Sequence, residues 1–140
     1  MNVIDAETRT GIHALVTEFS YLIDHGGAER IPALFTENGA FESPLATLKG
    51  RDAIAAAMAQ RANAAHNTRH AITNLRLQRE SADRILGTAL LTMYRWTNSD
   101  TNSQPLPIAL VEYEDIYQQT TVGGWLFAFR KAQQVLPTIE

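Results

Sequence analysis

The chain has 140 residues, 45% of them hydrophobic and 19% charged, with a formal net charge of −3. That length suits a single domain, residues 1–140, burying roughly two thirds of its unfolded surface, and the composition excludes a disordered or fibrous chain. Scattered lysines and arginines exclude a phosphate-tracking surface, and the absence of cysteine excludes disulfides, thiolate nucleophiles and cysteine-ligated metals.

In chain order, Ile12, Leu15, Val16, Phe19, Leu22 and Ile23 recur at steps of three and four, the spacing of one helical face, and predict a helix from Asp5 to about Asp24. Thr8 or Thr10 is placed to cap it, and His25-Gly26-Gly27 stops it. A shorter helix is expected over Ala28 to Phe35, with Pro32 in its first turns. Asn38-Gly39 reads as a turn, Ala40 to Glu42 as a short strand, and Asp52 to Ala65 as an alanine-rich helix.

After Asn67 the pattern changes to four extended segments: about Thr68 to Glu80, Arg84 to Trp96, Ile108 to Gln119 and Trp125 to Val135. The breaks between them are Ser81-Ala82-Asp83, the polar stretch from Thr97 to Pro107, and Val122-Gly123-Gly124. Three helices followed by long strands predict an α+β fold with the helices on one face of an antiparallel sheet. Apolar residues on both faces of the strands, such as Leu86, Leu90 and Leu91, predict that a second subunit covers the outer face as a homodimer. No run approaches the ~18 apolar residues of a membrane span. The start, MNVIDAETRT, lacks a leader's basic and apolar regions, so a cytoplasmic chain with no membrane partner is expected.

Strand alternation puts His70, Ile72 and Asn74 on one face. A titratable imidazole at the start of a long strand is the best candidate for chemistry, and Asn74 could offer its amide to a ligand or bond a neighbouring backbone. Phe19, Phe41 and Tyr94 are the large side chains chosen to line a cavity. Asp115 and Arg130 fall opposite one another in a hairpin turning near Val122-Gly123, which predicts a cross-strand ion pair; the alternative is that Arg130 reaches the pocket and holds a ligand. His13 and His66 have no partner at metal spacing, and no metal site is predicted.

Six runs in order carry a resemblance to a known family: Leu22-Ile23-Asp24-His25-Gly26-Gly27, Ala33 to Phe41, Lys49 to Ile54, Arg69-His70 with Asn74, Tyr113 with Asp115, and Gly124 to Arg130. Together they resemble the SnoaL-like branch of the nuclear transport factor 2-like superfamily, over nearly the whole chain. The resemblance implies a cone in which a strongly curved, mostly antiparallel sheet wraps three helices around an internal apolar pocket. It also implies a pairing of Asp24 with His70, since the matching residues of SnoaL-like dehydratases share one pocket. The opposed reading is that Asp24 caps the helix end and His70 is a satisfied strand histidine. Helical phase sets Asp24 to the side of the Ile12–Phe19–Ile23 stripe.

Departures narrow the chemistry. Met93-Tyr94-Arg95 lacks the second histidine of scytalone dehydratase, and Ile23 stands where that enzyme has a tyrosine. Ser43 replaces the pre-proline aspartate of ketosteroid isomerase, Phe19 its tyrosine, and Arg95 lacks the flanking acids of limonene epoxide hydrolase. With these departures, the resemblance implies a small cofactor-independent lyase or isomerase acting on a hydrophobic oxygenated molecule, with His70 as acid/base and Asp24 as its orienter. The alternative is a noncatalytic ligand-binding or assembly module of the same fold, like a dioxygenase small subunit.

Overall fold

Asp5 opens the first helix. The computed structural model describes residues 3–61, 67–98 and 107–136. Helix α1 runs over Ala6–Asp24, and the cap is Asp5, whose carboxylate accepts from the Thr8 N–H at 2.7 Å. Thr8, expected as a cap, is instead buried inside the first turn. At the other end Gly26 takes φ 80° and the Gly27 N–H donates to the Leu22 carbonyl at 2.8 Å, the closure that a left-handed glycine permits.

The expected second, shorter helix is a seven-residue 3₁₀ helix, Ala28–Leu34. Pro32 lies inside it and has no N–H to give an α-helical ladder. Strand β1 follows as Phe35–Glu42, so Asn38-Gly39 is no turn but part of a strand. The signal was local irregularity: the pairing of β1 with the last strand shifts register between Phe35 and Ala40. A Cβ on Gly39 would meet the Phe127 and Thr36 carbonyl oxygens at 3.0 Å each, so glycine allows that close approach. Three residues, Thr47–Lys49, form the unpredicted β2. Helix α2, Arg51–Arg61, matches the described part of the predicted alanine-rich helix, whose remaining residues lie outside the described ones.

The long strands are β3 (Asn67–Ser81), β4 (Arg84–Trp96), β5 (Ala109–Gln119) and β6 (Trp125–Leu136), within a residue of prediction at each end. They form an antiparallel meander; β1 then adds parallel to β6, giving the open six-stranded order β2-β1-β6-β5-β4-β3. Fold class is therefore α+β, with three helical segments against a mostly antiparallel mixed sheet. Phe19, Phe35, Tyr117 and Phe127 fill the layer between α1 and the sheet, joined by Ile12, Ile31, Ile54 and Ile85. Among the described residues no helix is long and apolar enough to cross a membrane.

Candidate functional site

Asp24 is the last residue of α1, and the tight glycine closure behind it aims the helix end at the start of the edge strand β3. Its Oδ1 lies 2.6 Å from His70 Nδ1 and accepts from the Thr68 hydroxyl at 2.9 Å. Oδ2 accepts from the His70 backbone N–H at 2.8 Å. The carboxylate is thus held by side chain and main chain of one strand. Arg61, ending α2, donates to the Thr68 hydroxyl at 3.3 Å and extends the chain of hydrogen bonds to a cation.

Both side chains are nearly closed off, 8% exposed for His70 and 7% for Asp24. Burial alone would push the Asp24 carboxyl up, but hydrogen bonds from the His70 ring and N–H, the His70 charge and the Thr68 hydroxyl hold it below its ordinary value. Burial pulls Arg61 down from its usual value, against the opposing charge of Asp24. An ionised Asp24 accepts only, so Nδ1 carries the proton and the tautomer is fixed. Nε2 then has the free lone pair of a base, and no hydrogen bond among the described residues engages it. When Nε2 takes up a proton, the adjacent carboxylate stabilises the cation.

The model of a SnoaL-like domain matches residues 5–131. The chain belongs to the SnoaL-like domain family. Its fold is similar to that of a provisionally assigned scytalone dehydratase of Novosphingobium aromaticivorans, at 21% identity and TM-score 0.79 over 91% of this chain and 84% of that one. LinA is similar at 20% identity and TM-score 0.81, over 96% and 90%. A Nostoc punctiforme protein with a cystatin-like fold is similar at 18% identity and TM-score 0.78, over 96% and 95%. No curated protein matches the chain.

In this SnoaL-like domain His70 borders an open crevice of about 570 Å³ between α1 and β3. Asn74 borders it too, but not by simple alternation. Between Thr73 and Arg76 the ladder with β4 slips, and Asn74 bulges out with φ 59°, a left-handed conformation that asparagine tolerates better than most residues.

The other expected wall residues are distributed differently. Phe19 is buried in the core, edge-on to Phe35, Phe41 and Phe127, and Phe41 is half-buried beside it. Tyr94 is a correction. Met93 packs inward beside Ala89, Leu91 and Tyr113, so alternation puts Tyr94 on the outer sheet face with Leu90 and Leu86, away from His70. The sequence showed the alternation but not its phase.

Arg130 and Asp115 are register partners, as the hairpin arithmetic predicts. Arg130 is 0% exposed, donates from Nε to Asp115 Oδ1 at 3.0 Å and from Nη2 to Oδ2 at 3.3 Å, and stacks 3.5 Å from the Tyr113 ring centre and 4.5 Å from that of Phe19. The Tyr117 hydroxyl donates to Asp115 at 2.7 Å. Burial pushes the Asp115 carboxyl up, with Arg130 and Tyr117 pulling it back, and burial likewise raises the Tyr117 and Tyr113 hydroxyls. Nη1 of Arg130 is buried with no partner among the described residues. No group of three or more His, Cys, Asp or Glu able to hold a metal occurs among the described residues.

Sequence reasoning missed Thr68, Arg61 and Ser20. Thr68 and Arg61 carried no signal beyond neighbouring His70 and ending a helix. Ser20 did: with His13, Thr17 and Asp24 it repeats at four-three-four spacing, a polar stripe beside the apolar one.

Proposed function

We propose that this SnoaL-like domain is a cofactor-independent lyase or isomerase for a hydrophobic oxygenated small molecule. One observation carries the reading: the buried contact of Asp24 with His70 Nδ1 at 2.6 Å, which leaves Nε2 as the working atom. In an elimination, Nε2 removes the proton from carbon next to a carbonyl, the C–H electrons form the double bond, and the β-hydroxyl leaves with that proton as water. In an isomerisation the proton returns to a different carbon. Either way Asp24 stays ionised and balances the imidazolium. The name of one similar structure, a provisionally assigned scytalone dehydratase, agrees with small-molecule chemistry in such a scaffold.

The test is deuterium incorporation in D₂O, followed by NMR, on a panel of hydrophobic β-hydroxyketones. Exchange or loss of water should occur with the wild type and vanish in His70→Ala, with Asp24→Asn reduced by about two to four orders of magnitude. Equal rates in wild type and His70→Ala contradict the proposal.

A second reading, an assembly module, draws on the outer sheet face. Leu86, Leu90, Ile116 and Phe129 are only half-buried there, and a hollow of about 310 Å³ lies among Leu86, Thr88, Ile116 and Phe129. This face supports a homodimer in either reading, so it adds a partner without replacing the acid/base function.

A further inference from the structure

The apolar stripe of α1 is buried in the core, while His13, Thr17, Ser20 and Asp24 form a separate stripe along the flank that faces β3. A polar flank on a helix ordinarily meets water. Here His13 and Thr17 are exposed, but Ser20 is only 6% exposed, and its hydroxyl has no hydrogen-bond partner among the described residues. A buried hydroxyl left unpaired is unfavourable and marks a site held ready for another donor or acceptor.

Opposite this flank, β3 supplies His70 at one end and the bulged Asn74, followed by Leu75, at the other, with Ile72 between them and Val16 across from it on the helix. Asn74 lies four residues along the strand from His70, about 13 Å at strand rise. His13 and Ser20 lie seven residues apart, about 10 Å along the helix. The crevice is therefore long, apolar in its middle and polar at both ends, and its volume of about 570 Å³ falls in the range of small-molecule sites.

Resting on the acid/base reading, we propose that this crevice is the substrate site and selects an elongated hydrophobic molecule with an oxygen function at each end. Ser20 Oγ bonds the oxygen beside His70 and acts as a positioning residue. His13, Thr17 and Asn74 hold the far oxygen, and Val16 and Ile72 clasp the hydrocarbon between. The bulge at Asn74 is what turns a strand edge into the far wall.

Naphthalene-2,6-diol, with a hydroxyl at either end, and 2-naphthol, with one, serve as probes. The diol should shift the imidazole NMR signals of both His13 and His70 and leave His25 in place, and it should bind about tenfold tighter than 2-naphthol. Ser20→Ala should weaken both probes several-fold, while Thr17→Val should weaken the diol alone. Ser20→Ala should also unfold at the same or higher urea concentration, since it removes an unpaired hydroxyl, whereas a merely structural serine would lower that midpoint. An unmoved His13, equal affinity for the two probes, or Thr17→Val weakening both overturns the proposal. Deuterium exchange on the same preparations separates the two readings. Binding as described without exchange contradicts the acid/base function alone; exchange with His13 unmoved contradicts the crevice alone.

Discussion

Gly87 lies beneath the ring of Tyr117, and a Cβ there would sit 2.6 Å from Tyr117 Cε2 and 3.0 Å from its hydroxyl oxygen. Gly87 is also the register partner of Asp115, which accepts the hydrogen bond from that hydroxyl. The missing side chain therefore lets a phenol lie flat against β4 and reach the buried carboxylate. Gly87→Ala is expected to cost about 1–3 kcal/mol by overpacking, read as a lower denaturant midpoint. Pairing it with Tyr117→Leu should recover most of that loss; a Gly87→Ala protein as stable as wild type would show that Tyr117 has another place to go.

The Asp115–Arg130 pair predicts an asymmetric outcome. Removing one partner by Asp115→Ala strands a guanidinium that is 0% exposed, at a cost of about 3–5 kcal/mol. Replacing both, Asp115→Leu with Arg130→Met, should cost far less than the two single changes summed, because no charge is left buried alone. Urea unfolding of the three variants measures this, and simple additivity would argue that water reaches the pair.

Acid should act on Asp24. Its carboxyl is held below the ordinary 3.8, so it adds stability above that value and loses it as pH falls through the lower, folded one. The stability gap between wild type and Asp24→Asn should therefore shrink as pH falls below 3.8. A gap that widened below pH 3.8 would mean that the folded protein does not favour the ionised aspartate.

For the outer face, sedimentation at micromolar concentration should find a particle of twice the 15.5 kDa chain mass. Leu90→Glu, which puts a charge on that face, should drive it to monomer. A wild type that sediments as a monomer rules out the dimer.

The sequence made periodicity visible and hid phase and irregularity. The strands and the Asp115–Arg130 register were legible because period-two patterns and a glycine turn fix both. Asp24 lies off the core stripe because it belongs to a second flank of α1, whose neighbour is β3. Gly39 and Tyr94 depart from expectation for one reason: a bulge, or an unknown inward face, changes where a side chain goes without changing the hydrophobic pattern; Asn74 borders the crevice as expected, but by way of a bulge. Ser20 shows the complement, a spacing that was present but acquired meaning only when the strand opposite it was known.

The parallel pairing of β1 with β6 also sets an order of events during synthesis. β1 and β2 have no sheet neighbour but each other until β6 has been made, roughly ninety residues later by the Phe35–Phe127 pairing. A chain growing from its N-terminus must therefore keep Phe35 and Phe41 without their final partners while the β3–β6 meander is completed. Such long-range closure slows folding and leaves apolar surface uncovered meanwhile. Translation speed and chaperone supply should then affect the yield of this domain more than its small size suggests.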